Sequence, residues 1–185
     1  WALDSVWGLQ YLNGQITLAA DTTIGGDGTF FLSGIDGNHN LTFASGATAT
    51  IRSDLAIGSG SLILDGATGV TLQADNSFSG DVSIRNSHLL LDSAGGVSLN
   101  AIGDNARVTV YSDGAMTLRK GREEIGSLAG EGYVRSTFAG AELIGGGDDT
   151  STIFSGKLGE EGAGNTLSIT KNGTGTLTLS GNNTY

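Results

Sequence analysis

The sequence predicts an all-β fold, a parallel β-helix (solenoid) of roughly nine coils. Three observations lead there. Apolar residues recur in pairs with one residue between them, the period-2 mark of a short strand with one buried face. Gly, Asn, Asp and Ser fill the intervals, and these are the residues that make tight turns. The strand units also resemble one another, which favours stacked coils over a sandwich or a barrel.

The pairs run the length of the chain. They are Ile16/Leu18, Phe30/Leu32, Leu41/Phe43, Leu62/Leu64, Val70/Leu72, Val82/Ile84 and Leu89/Leu91, then Val97/Leu99, Val108/Val110, Met116/Leu118, Leu167/Ile169 and Leu177/Leu179. Strand signals arrive about every 10 residues. Helical periodicity is nearly absent; Ala2 to Leu12 comes nearest, and it reads better as strand or irregular chain.

The internal repeat is short and ungapped. "VTLQADNSF" at 70–78 aligns with "LTLSGNNTY" at 177–185, which pairs Leu72 with Leu179, Asn76 with Asn183 and Phe78 with Tyr185. "DDTSTIFSG" at 148–156 shares the "FSG" ending found at 78–80. At about 20 residues per coil, the 185 residues make a rod on the order of 40 Å long.

Composition agrees with that architecture. The chain has 32 glycines, which suit corners that need tight turns or positive φ. It has no proline, which would delete a ladder hydrogen bond in any coil it entered. Aromatics are only 6%, so the core should be aliphatic. A net charge of -10 argues against nucleic-acid binding and fits a solvated acidic surface. No apolar run approaches the roughly 18 residues of a membrane-spanning helix.

The last third resembles a known family. "EEIGSLAGEGYV" (123–134), "GGGDDTSTIFSGKL" (145–158) and "LSITKNGTGTLTLSGNNTY" (167–185) occur in that order. They are similar to the passenger-associated repeat of bacterial autotransporters, the type V secretion proteins. "DNSFSGDVSIRNSHLLLDSAG" (75–95) is similar to the sequence that usually follows that repeat, whereas residues 1–60 fit only in style. The resemblance implies a right-handed β-helix. It also implies a single passenger domain over 1–185, with less regular coils over 1–60 and repeat-like coils over 61–185. The family repeat continues past its tyrosine, so more passenger is expected after Tyr185, and then a membrane β-barrel that is absent from this chain. The absence of cysteine fits a passenger that crosses the outer membrane unfolded. Localisation is then the bacterial cell surface or the medium.

Candidate chemistry is sparse. Only His39 and His88 could act as histidine bases, and both read as turn or surface residues. Glu123/Glu124, Asp148/Asp149 and Glu160/Glu161 lie beside glycines and read as solvated loop carboxylates rather than as catalytic pairs. "GGDGTF" at 25–30 begins like a calcium nonapeptide, but Phe30 stands at the required aspartate position. No enzyme activity, no cofactor and no metal site is expected.

Binding residues are the more natural expectation. Phe30 and Phe31 are adjacent, so in a strand one should face outward as a contact point. Arg119, Lys120 and Arg122 form the only dense basic cluster; Glu123 and Glu124 follow as local ion-pair partners, and an anionic glycan is the alternative contact. Trp1, Trp7 and Tyr11 could cap the open end of the solenoid. The functional expectation is an adhesin segment whose partner is a host matrix protein, a host glycan or a copy of itself on another cell. The alternatives are a stalk or export scaffold for an upstream head and, less favoured, a β-helical polysaccharide-degrading enzyme.

Overall fold

The computed structural model describes residues 2–4, 7–92, 100–119 and 121–185. Among these the fold is a parallel β-solenoid without helices. All of the expected apolar pairs lie in strands except Val97/Leu99, which falls outside the described residues. Ala2 to Leu12 contains strand, not helix: Ala2–Asp4 and the start of Leu9–Leu18.

Three walls enclose the core. The first stacks nine strands: Ala2–Asp4, Thr22–Gly25, Leu41–Ala44, Leu62–Asp65, Val82–Arg85, Arg107–Val110, Ser127–Gly130, Thr152–Phe154 and Leu177–Leu179. The second stacks Leu9–Leu18, Thr29–Gly37, Thr48–Ile51, Gly69–Leu72, His88–Leu91, Ala115–Leu118, Tyr133–Ser136 and Lys157–Glu160. The third has a regular sheet only near the C-terminus, in Arg122–Ile125, Ala141–Gly145 and Leu167–Lys171. The first wall counts nine rungs and the second eight.

Register places like on like. On the first wall Ile24, Phe43, Leu64, Ile84 and Val110 form one inward column. The column continues through Gly130 to Phe154 and Leu179. Gly130 brings no side chain, and the fully buried Phe154 ring follows it in register. On the second wall Phe30, Ala49, Val70, Leu89, Met116, Val134 and Leu158 stack the same way. The core is aliphatic apart from a few Phe residues and Met116.

The third wall of the middle coils relies on side chains. Ile16, Ile35 and Leu55 pair by backbone in the early coils. Asn76 then stands in for a peptide group: its Oδ1 accepts from Leu55 N at 2.8 Å, and its Nδ2 donates to Ala101 O at 2.7 Å. Glu123 closes the next step, since Oε2 accepts from Ala101 N at 3.2 Å and Oε1 from Ile102 N at 2.7 Å. Every buried polar backbone group needs a partner, and these two side chains supply them where no strand does.

Glu123 therefore corrects the sequence reading. It is not a solvated turn carboxylate: it lies on a strand, faces inward and is 2% exposed. Burial pushes its carboxyl well above the ordinary range, outweighing the two backbone hydrogen bonds that pull it down; Asp104 and Asp75 add to the upward shift.

Corners explain much of the remaining polarity. Asp54 accepts the backbone N–H of Ser77, Asp75 that of Asn100, Asp113 that of Asn86 and Asp149 that of Thr174, each at 2.7–3.0 Å. Many of the acidic residues thus join one coil to the next. Glycines serve close approach as well as positive φ. At Gly156 an added Cβ would strike Gly132 O, and at Gly181 it would strike Gly156 O, so this corner column stacks backbone on backbone.

Candidate binding face

The outward side of the second wall carries a run of aromatic and cationic groups. Strand alternation sets which residues appear there: Leu32 and Phe30 turn inward, so Phe31 turns out. Phe30 is 1% exposed and belongs to the core, which leaves Phe31 as the member of the pair that reaches the surface. One coil earlier, Tyr11 pairs in register with Phe31, and the two rings stack with centroids 4.8 Å apart and planes 12° from parallel. The guanidinium of Arg52, one coil later, sits over the Phe31 ring at 4.4 Å from its centroid. Tyr11 is 55% exposed, and Leu9 and Trp7 nearby are more so.

Tyr11 is thus not an end cap. It lies on the side of the rod, while the open N-terminal end is an apolar cavity of about 320 Å³ lined by Leu3, Leu12, Ile16, Leu18 and Ile24. Trp1 falls outside the described residues. Sequence reasoning passed over Tyr11 and Arg52 as partners of Phe31. The signal was the coil length, because they flank Phe31 by about one coil on either side.

Beyond the aromatic stack the same outward row continues through Thr50, Thr71, Leu90, Thr117 and Arg135. Arg135 Nε donates to Thr117 Oγ1 at 2.9 Å and pairs with Glu161 at 3.1 Å. His88 Nε2 lies 2.7 Å from the same Thr117 hydroxyl. Partial burial, with Arg135 close by, lowers the His88 pKa below the ordinary imidazole value and favours the neutral ring.

The basic cluster is divided by a corner. Arg119 follows the second wall and pairs with Asp92 at 3.4 Å. Arg122 opens the third wall and pairs with Glu124 at 3.2 Å and Glu142 at 3.9 Å. The local pairing expected for this cluster holds for Glu124 but not for the buried Glu123. Lys120 lies outside the described residues. His39 sits in a bend, 3.7 Å from Asp21. Among the described residues no three His, Asp or Glu side chains gather as a metal site requires. The Asp148 and Asp149 carboxylates accept from Ser127, Thr150 and Thr174, which holds both pKa values down.

The C-terminal coil is where a family similarity lies. Its strand Leu177–Leu179 stacks on Thr152–Phe154, and Asn183 Oδ1 accepts from Leu158 N at 2.9 Å. The family model of the passenger-associated-transport-repeat matches residues 169–185. That repeat is typical of autotransporter passenger domains, and the parallel β-solenoid agrees with it. No curated protein and no solved structure matches the chain. A passenger repeat carries a coarse address as well, the cell surface or the medium. No helix among the described residues is long and apolar enough to cross a membrane.

Proposed function

We propose that this passenger segment is an adhesin, displayed on the bacterial surface, that binds host matrix or cell-surface ligands or joins cell to cell. The observation that carries this reading is the outward-facing stack of the exposed Tyr11 ring on the half-buried Phe31 ring, with Arg52 over it. Exposed stacked rings with a cation are costly to leave in water and supply contact area at little entropic cost. They sit on the flat side of a rod, where a partner can lie across several coils. Adhesion by cells displaying the chain, native against Tyr11→Ser/Phe31→Ser at equal surface display, tests it. Loss of adhesion supports the reading.

The second reading is a non-binding stalk or export scaffold for a head elsewhere in the parent protein. The regular coils around the passenger repeat favour it for that end of the rod. In that case removing the segment impairs display itself, while the two ring substitutions leave adhesion intact.

A further inference from the structure

The outer second wall carries a further row just past the ends of its strands. Ladder hydrogen bonds set Arg52, Gln73, Asp92, Arg119, Thr137 and Glu161 one above another, one per coil. Their contacts place them on the outer face: Arg52 covers the Phe31 ring, Asp92 pairs with Arg119, and Glu161 pairs with Arg135. Along the rod the row runs cation, amide, anion, cation, hydroxyl, anion. Reversed, it is its own complement.

That symmetry fits a second copy of the chain with its rod axis reversed. Arg52 then meets Glu161, Gln73 meets Thr137, and Asp92 meets Arg119, and a two-fold axis makes each pair occur twice. Copies running the same way, with this row on itself, would set each charge against its own kind. Arg52 makes no ion pair among the described residues, and Glu161 engages Arg135 through Oε2 with its side chain still 57% exposed, so both can take a partner.

The row on the other side of Phe31 agrees in size. Thr48, Gly69, His88, Ala115, Tyr133 and Lys157 stack there. The same two-fold sets Tyr133 against Gly69 and His88 against Ala115, so each ring faces one of the two smallest residues. In the row between, Arg135 meets Thr71 and Leu90 meets Thr117. No like charges face each other on any of the three rows. Arg52, Arg119, Arg135 and Lys157 outnumber Asp92 and Glu161 here, so the overlap avoids the acidic surface that keeps copies of a chain of net charge -10 apart.

We propose that the outer second wall is a self-recognition surface, on which a second copy docks antiparallel about a two-fold axis centred between Asp92 and Arg119. The proposal rests on the cell-to-cell arm of the adhesin reading and names its partner. Antiparallel is also how rods reaching out from two facing cells meet. Six rungs about 4.8 Å apart and three rows about 7 Å apart bury on the order of 500 Å² per copy, a weak contact that gains strength in number.

The test is sedimentation equilibrium of the folded chain up to millimolar concentration, with clumping of chain-coated beads as the multivalent readout. Native chain should dimerise and clump beads. Arg52→Glu alone and Glu161→Arg alone should each weaken dimerisation about tenfold or more, because like charges then meet twice. An equimolar mixture of the two variants should pair as native chain does, and so should the chain carrying both changes. Native chain that stays monomeric and leaves beads dispersed overturns the proposal, and so does a mixture that pairs no better than its separate components. Adhesion to matrix proteins and glycans separates the two ideas. If charge exchange rescues nothing but Tyr11→Ser/Phe31→Ser abolishes that adhesion, self-pairing fails and the adhesin reading stands. If the mixture pairs but no variant changes the adhesion of displaying cells to any target, self-pairing stands and the adhesin reading fails.

Discussion

Asn76 and Asn183 make the same contact one wall apart: each Oδ1 accepts the backbone N–H of a leucine one coil earlier, Leu55 at 2.8 Å and Leu158 at 2.9 Å, but Asn76 follows a strand of the second wall and Asn183 a strand of the first. The two residues are the aligned asparagines of the internal repeat. The repeat is thus a local unit, a strand followed by an asparagine that caps the next wall, and it is used at two different walls.

Replacing Asn76 should be the costlier change. Asn76→Ala leaves Leu55 N and Ala101 O without partners in the interior, at a cost of about 2–4 kcal/mol. Asn183→Ala removes one bond near a more exposed surface and should cost about 1 kcal/mol. Urea denaturation of both variants checks the order.

Glu123 should make stability fall as pH rises. Its folded pKa is raised above the ordinary 4.5, so the folded chain holds a proton that the unfolded chain has released. Stability from this group is full below that value and declines as pH climbs toward the folded pKa. Glu123→Gln removes the titration and leaves one of the Ala101 and Ile102 donors unmatched. The native chain should be more stable than the variant in acid, and its advantage should shrink toward neutral pH. Urea midpoints from acid to neutral pH decide; a constant gap contradicts the assignment.

The corner glycines should resist even a methyl group. Gly156→Ala drives a Cβ into Gly132 O, backbone against backbone, and should cost about 2–3 kcal/mol. Gly140→Ala meets open space at φ 80°, so only the left-handed conformation is penalised, by about 1 kcal/mol. Thermal melts of the two variants should differ accordingly.

Much of the rod could be read from residues alone. Pairs such as Leu62/Leu64 and Val82/Ile84 show period 2, and in a solenoid one inward face per strand is all the core requires. The passenger resemblance came from motif order in the last third, where the coils are most regular. Glu123 was not legible, because an acid between charged neighbours looks the same in sequence whether it faces solvent or caps two buried N–H groups. The choice between Phe30 and Phe31 needed the strand phase, which Leu32 fixes only once its wall is known. The self-complementary outer row joins residues from Arg52 to Glu161, and no local motif spans that distance.

The adhesin reading stands or falls on the outer second wall. The most direct measurement is adhesion by cells displaying the chain, native against Tyr11→Ser/Phe31→Ser, to immobilised matrix proteins, glycans and one another. Surface display is quantified in parallel. Both rings lie outside the core, so display should be unchanged, and adhesion to at least one target should drop about tenfold or more if the stack anchors the contact. Native adhesion at equal display would contradict the assignment and leave the segment as a stalk.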